Sequence, residues 1–243
     1  MKKVSIITTT YNDSENLRKT IRQIEAQDYE NIEYIIVDGA SKDNTLEVIA
    51  DAKERFGDRL VWISEKDSGI YDAINKGLRL ATGDFIGLCF DQFAAPDVIS
   101  KMVAIMEKEG TDGVHGDLNY VDGEKIVRKW RQGQGNIRTG WMPGHPTLYL
   151  RKEVYETYGL YKTDYRISAD YEYMIRILKD GNVKLSYIPE VLIKMSHGGT
   201  STNGLGAYLE GLKEGHRALK ENGVKFAFVT DLLRILRVLR QFV

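Results

Sequence analysis

The stretch Glu65–Pro96, EKDSGIYDAINKGLRLATGDFIGLCFDQFAAP, decides how the rest of the chain is read. A turn over Lys66–Gly69 leads into a segment where Ile70, Ile74, Leu78 and Ala81 recur at helical spacing. Thr82-Gly83-Asp84 breaks that helix. The apolar run Phe85–Phe90 then reads as a buried strand ending on Asp91, a carboxylate at a strand mouth. Asp67, Ser68, Tyr71, Asp72, Asn75 and Lys76 crowd one end of this unit, and Asp91 and Gln92 the other. Polar groups gathered in this way suggest a ligand site.

The same grammar repeats upstream. Val4–Thr8, Tyr34–Val37 and Leu60–Ile63 are short β-rich runs. Each is followed by polar residues and then by an amphipathic segment. Ser14 and Ser41 are expected to cap the first two helices, and a further helix is expected over Asp97–Lys108. Alternation of strand and helix predicts an α/β fold, a mainly parallel Rossmann-like sheet with helices on both faces and right-handed crossovers. In such sheets the ligand sits beyond the carboxyl ends of the strands. Here those ends carry Thr9–Asn12, Asp38, Glu65–Asp67 and Asp91. Ordinary loop polarity is the competing explanation for each residue alone.

The second half is less regular. Strands are expected near Asp112–Tyr120, Ile126–Trp130 and Thr147–Leu150, and helices over Arg151–Tyr158 and Ser168–Lys179. Val183–Ile188 and Val191–Met195 read as a hairpin around Pro189-Glu190. Two helices, Leu205–Asn222 and Phe226–Phe242, close the chain. The last combines an apolar face with Arg234, Arg237 and Arg240, a basic amphipathic pattern that suits an anionic membrane surface. Packing on the domain or on a second subunit, as in a homo-oligomer, explains it equally well.

Composition sets the bounds. The 243 residues suffice for one large domain or a domain with an appendage, and the net charge of −1 gives no reason to expect nucleic-acid binding. A single cysteine, Cys89, excludes an internal disulfide framework and fits a reducing, cytoplasmic setting. Neither a secretory leader nor an apolar run of membrane-spanning length is read in the sequence. No Walker loop or dinucleotide glycine fingerprint is present, which argues against kinases and dehydrogenases.

Four segments carry a family resemblance: Val4–Asn12, Ile36–Thr45, Asp67–Gly77 and Ala81–Asp84. They resemble the family 2 glycosyltransferases, which have the GT-A fold. His145-Pro146-Thr147, Ser168–Glu172, Arg176 and His197–Ser201 resemble the bacterial polysaccharide branch of that family. The resemblance spans roughly residues 3–201. It implies a GT-A domain over 1–203, with a nucleotide-sugar half (about 1–110) and an acceptor half (about 111–203), followed by a helical extension over 204–243.

The resemblance also implies an activity: inverting transfer of a sugar from a nucleoside diphosphate donor, UDP- or GDP-linked, to an acceptor hydroxyl. The acceptor would be a glycan or a lipid-linked molecule, reached in the cytoplasm or at the inner face of the plasma membrane. By family position Thr9, Tyr11, Asp38, Asp67, Gly69, Tyr71, Asn75 and Lys76 would hold the donor. Asp170 would be the general base. Asp91 and His197 would hold a divalent cation, Mg2+ or Mn2+. His145 and Trp141 would meet the acceptor.

In this sequence Phe90-Asp91-Gln92-Phe93 stands where the family's metal motif has a small or Asn residue and two acids. Gln92 offers only a neutral oxygen, which would weaken the metal site. Each assignment has a plainer alternative: a turn cap for Asp91, a first-turn acid for Asp170, a loop filler for His145, core for Trp141. Two further functions stay open on the residues: a catalytically weak nucleotide-sugar-binding partner subunit, and an unrelated nucleotidyltransferase.

Overall fold

Side chains alternate across a strand, and the early runs are apolar on both faces. They therefore need cover on both sides. A computed structural model, which describes residues 1–196, 204–239 and 241, realises this as a three-layer arrangement. The four runs are strands β1 (Val4–Thr10), β2 (Ile32–Asp38), β3 (Leu60–Ser64) and β4 (Phe85–Leu88). β1 sends Val4 and Ile6 into one core and Ile7 into the other; β2 divides Tyr34 and Ile36 from Ile35 and Val37 in the same way.

The first core is closed by α1 (Ser14–Glu25), α2 (Thr45–Phe56) and α4 (Val98–Glu109), through Leu17, Ile21, Val48, Ile49 and Met102. The second is closed by α3 (Ile70–Leu80), whose Ile74 and Leu78 face the sheet, by α5 (Lys152–Tyr158) with Val154 and Tyr155, and by α6 (Ala169–Leu178) with Tyr173 and Ile175. The order β3-β2-β1-β4 is parallel throughout.

Beyond β4 the sheet continues as β8 (Tyr149–Arg151), β6 (Gly113–Asp122), β9 (Leu185–Ser196) and β5 (Gln92–Phe93), with β7 (Lys125–Trp130) beside the far end of β6. β8 and β7 are antiparallel to their neighbours, whereas β9 is parallel to β6. The expected hairpin at Pro189 does not form. Residues 185–196 are one strand, and the register skips from Gly116↔Ile188 to Asp117↔Val191. Pro189 and Glu190 fill this irregularity, where the missing proline N–H breaks no ladder bond.

The helix starts also differ from expectation. The Asp43 carboxylate, not Ser41, accepts the Thr45 N–H at 3.1 Å at the head of α2. Asp13, not Ser14, occupies the cap position of α1.

At the amino ends of β1 and β2, buried Glu33 accepts from Ser5 Oγ (2.5 Å), Lys3 Nζ (2.7 Å) and the Thr82 N–H (2.8 Å). Burial would raise its carboxyl, but these donors outweigh burial and hold it down at about 2. Asp84 accepts from the Lys3 N–H at 2.7 Å. Ala81–Asp84 is thus a latch at the sheet edge opposite the strand carboxyl ends.

The C-terminal helices α7 (Gly204–Glu221) and α8 (Ala227–Leu239) follow α6. Ala218 and Leu219 of α7 are fully buried in the second core, so the segment expected as an appendage shares the core of the main body. The expected arginine stripe on α8 is only partly realised. Arg234 turns inward, its guanidinium 4.3 Å from the Tyr171 ring centroid, and Arg237 donates to the Thr139 carbonyl at 2.9 Å. Arg240 lies outside the described residues.

Candidate active site

The carboxyl ends of β1, β2 and β3 meet at one edge. There Asn12 and Ala40 adopt positive φ angles of 48° and 63°, a strained conformation for residues with a side chain. Between them lies Gly39. A Cβ at Gly39 would stand 2.7 Å from Asp67 Oδ2 and 3.2 Å from Tyr11 Cδ2, so glycine is what lets these two side chains close over the β2 turn. Tyr11 remains 63% exposed, an aromatic face open at the strand mouths. Thr9 is half-buried beside it.

Asp38 is fully buried. Its Oδ1 accepts from Ser41 Oγ at 2.5 Å, and its Oδ2 from the Ser41 N–H at 3.1 Å and Ser64 Oγ at 2.6 Å. Ser41 Oγ in turn receives the Asn12 N–H at 2.7 Å. The carboxylate therefore ties the loops after β1, β2 and β3 together. It supports this edge from behind.

Gly69 precedes α3 at φ 127° and donates its N–H to Asp67 Oδ1 at 3.0 Å. The Ser68 N–H donates to Asp72 Oδ2 at 3.0 Å. Lys76 is committed within the protein, to Glu65 at 2.9 Å, Asp72 at 3.6 Å and the Lys66 carbonyl at 2.8 Å. Asn75, expected among the donor residues, is also engaged within the protein. It is buried, donates to the Tyr161 carbonyl at 2.8 Å and accepts the Tyr161 N–H at 3.0 Å, so its amide fastens α3 to the second half.

That attachment brings Asp170 beside Tyr71 of α3. Ser168 holds the cap position of α6, with its hydroxyl turned to the Gly211 carbonyl at 3.3 Å, and Asp170 stands in the first turn. The Tyr71 hydroxyl donates to the Ile167 carbonyl at 2.5 Å and lies 3.2 Å from Asp170 Oδ1. Burial, then the nearby Asp170 charge, push the Tyr71 phenol far above its ordinary value, so it stays protonated and able to donate.

His145 joins the same cluster through Nε2 and the Tyr161 hydroxyl, 2.8 Å apart. Burial lowers its pKa against the opposing pull of Asp170, which leaves a neutral imidazole at neutral pH. Trp141 is buried, and its indole N–H donates to the Gln132 carbonyl at 2.9 Å. Its ring forms part of a cavity wall.

Two elements went unread in the sequence. Glu214 of α7 accepts the N–H groups of Arg166 (2.6 Å), Ile167 (2.9 Å) and Ser168 (2.8 Å), completing the start of α6 across the fold. Gln132 accepts the Gly144 N–H at 2.6 Å and donates to Thr147 Oγ1 at 3.2 Å, bracketing the turn that presents His145. Both were hidden because the contacts span elements distant in sequence.

Asp91 follows β4 and accepts the Ser196 N–H at 3.2 Å. Burial raises its carboxyl to about 6, against the lowering effect of that N–H. Gln92 beside it is exposed. Among the described residues no group of three metal-ligating side chains gathers. One carboxylate supplemented by substrate phosphate oxygens is a common set for Mg2+, and Asp91 fits that role. His197 lies outside the described residues.

A parallel α/β half with an open polar edge is thus joined to a second half through Asn75 and Tyr71. The chain belongs to glycosyl transferase family 2, whose family model matches residues 5–176. A PGL/p-HBAD biosynthesis glycosyltransferase of Mycobacterium bovis is 29% identical over 208 residues, covering 82% of this chain and 78% of the relative. An uncharacterised glycosyltransferase of Mycobacterium tuberculosis is 28% identical over 191 residues, 71% of this chain and 68% of the relative.

Among solved structures, S. aureus TarS 1–349 superposes with a TM-score of 0.73 at 14% identity, covering 98% of this chain and 72% of that one. The mannosyltransferase PcManGT from Pyrobaculum calidifontis, in complex with GDP-Man and Mn2+, gives 0.68 at 19% identity, covering 98% and 74%. At these identities the likeness is one of fold. No helix among the described residues is long and apolar enough to cross a membrane.

Proposed function

We propose that this glycosyltransferase moves a sugar from a UDP- or GDP-linked donor to an acceptor hydroxyl, with inversion, in the assembly of a bacterial surface glycan or glycolipid. The observation that carries the reading is the junction of the two halves: Tyr71, on the helix that leaves the donor edge, reaches Asp170 at 3.2 Å. TarS 1–349 in complex with UDP and with UDP-GlcNAc, and the GDP-Man complex of PcManGT, support a nucleotide-sugar donor.

The donor base stacks on exposed Tyr11, with Thr9 beside it and the loops latched by Asp38 as the wall. The acceptor oxygen attacks the anomeric carbon on the face opposite the diphosphate. The new carbon–oxygen bond forms as the bond to phosphate breaks, and its electron pair leaves on the phosphate oxygen. The acceptor proton passes to Asp170, held in place by Tyr71. A divalent cation on Asp91 would neutralise charge on the leaving diphosphate. His145, neutral and tied to Tyr161, offers a hydrogen bond to the acceptor.

Asp170→Asn keeps size and the Tyr71 contact but removes the base. Transfer is expected to fall roughly 10²–10⁴-fold while nucleoside diphosphate affinity is unchanged. Donor hydrolysis and then single-turnover transfer measure the first, calorimetry the second. Near-normal turnover would reduce Asp170 to an acid at a helix start.

A second reading, a catalytically weak nucleotide-sugar-binding subunit, rests on Gln92 in place of a second acid. Donor hydrolysis with and without divalent metal separates the two. Phe228, Val229, Leu232 and Leu236 on α8 form an exposed apolar face, which supports peripheral contact with the inner membrane leaflet.

A further inference from the structure

A cavity of about 720 Å³ lies between β7, the segment around Trp141, α7 and α8. That volume falls in the range of small-molecule sites. Its apolar walls include Trp130, Trp141, Met142, Ile167, Leu212 and Ile235. Among its described lining residues, Lys129, Arg131, Arg234 and Arg237 are cationic and none is acidic, in a chain whose net charge is −1. Arg131 and Arg234 each face one carboxylate, Asp117 at 3.3 Å and Asp231 at 3.5 Å. Lys129 and Arg237 have no ion pair among the described residues.

Ile167 ties the cavity to the chemistry. It lines the cavity, and its carbonyl accepts the Tyr71 hydroxyl that also reaches Asp170. None of Thr9, Tyr11, Asp38 or Asp67 lines it, so it is separate from the donor edge.

We infer that this cavity binds the acceptor by its non-reacting part: an amphiphile whose apolar chain lies among Trp130, Trp141 and Ile235 and whose phosphate meets the Lys129 and arginine cluster. The inference rests on the transfer reading and adds its substrate class. Apolar walls alone would suit any greasy molecule. The one-sided cationic lining selects an anion, and guanidinium forks match phosphate oxygens in pairs. Anchoring there leaves the hydroxyl end to extend past Ile167 to Asp170.

Gly211 provides the test. It lines the cavity, and a Cβ added there meets nothing closer than Ile167 Cγ2 at 3.8 Å, so a larger side chain enters the cavity without disturbing the helix. Dodecyl phosphate, below its micellar concentration, serves as the probe. Two of the three tryptophans line the cavity and report binding by fluorescence.

The full chain is expected to bind dodecyl phosphate saturably and at least about tenfold more tightly than dodecyl maltoside, a neutral amphiphile of equal chain length, a difference of about 1.4 kcal/mol. Gly211→Phe should weaken the phosphate probe at least tenfold and leave nucleoside diphosphate affinity unchanged. Ala207→Phe, from the same wall, is the second variant should the first not fold. Lys129→Gln should narrow the preference for phosphate about two- to fivefold, the range of an exposed charge contact.

Absence of saturable binding, equal binding by Gly211→Phe and Ala207→Phe, or no preference for the anionic probe overturns the inference. Nucleotide binding is read separately in every protein. Its failure would strike the transfer reading, whereas failure of the amphiphile alone strikes the cavity.

Discussion

Glu214→Ala removes the acceptor that three backbone N–H groups share at the head of α6. The Ser168 bond is buried, while the Ile167 and Arg166 bonds are part-buried, Arg166 being itself an exposed residue. Water can replace the lost partner at Arg166 but not at Ser168. A buried donor left unpaired costs about 1–3 kcal/mol, so Ser168 and Ile167 together should lose roughly 2–5 kcal/mol. For a chain of this size each kcal/mol lowers Tm by roughly 2–4 °C, which predicts a fall of roughly 4–20 °C. Glu214→Gln keeps one carbonyl oxygen and should fall between wild type and Glu214→Ala.

Scanning calorimetry gives Tm, and urea unfolding gives the free energy. The functional readout is distinct: Asp170 should lose its fixed position, so transfer should fall more steeply than nucleotide affinity. A Tm within about 2 °C of wild type, equivalent to under roughly 1 kcal/mol, would refute the capping argument. Unchanged transfer in a destabilised protein would show that α6 keeps its start without Glu214.

Three further outcomes are expected. Asp38→Ala should weaken nucleoside diphosphate binding by calorimetry, because Ser41 and Ser64 lose their common acceptor and the Asn12 loop is released; unchanged affinity would exclude the latch. Burial raises Asp91 to about 6, so a proton competes with a cation there, and Mn2+ affinity should increase as pH rises from about 5 to 7 and then level off. Since its folded pKa lies above the unfolded value, Asp91 contributes stability below the unfolded pKa that is lost as pH rises through about 6. Asp91→Asn should therefore stabilise the metal-free protein at pH 7 by roughly 1–2 kcal/mol, and a flat metal profile with no such gain would sink the assignment. Leu232→Asp with Leu236→Asp should reduce co-sedimentation with anionic liposomes while nucleotide binding persists; an indifferent wild type would leave α8 without a membrane role.

What was legible in the sequence was what depends on local pattern. The runs at Val4, Tyr34 and Phe85 are buried on both faces, while the Leu60 run at the sheet edge leaves Trp62 exposed, and β-rich runs flanked by turns mark such strands without reference to the rest of the chain. Polar residues at their carboxyl ends followed from the topology. The misreadings come from choices made over long range. Pro189 reads locally as a turn, yet pairing of β9 along β6 draws it into a strand irregularity. Ser41 reads as a cap, yet Asp38 and Asn12 claim its hydroxyl and Asp43 takes the cap. Asn75 sits among donor-edge residues in sequence but turns inward, because Tyr161, distant in the chain, presents a backbone N–H and C=O that water cannot reach.

The family match ends at residue 176, and much of what the second half does with Asp170 depends on residues beyond it. Glu214 completes the helix that carries Asp170. Arg234, from the same two-helix unit, stacks over Tyr171 one position further on. The outer wall of the cavity is built by Leu212, Ile235 and Val238. On the proposed reading the matched region supplies the donor edge and the acid, while the C-terminal helices hold the start of α6 and line the cavity beside it. Exchanging those helices between relatives should transfer the preference for acceptor and leave nucleotide preference behind. The exchange must keep Glu214 with its three N–H partners, because a chimera that loses this cap would fail through α6 before its acceptor preference could be read.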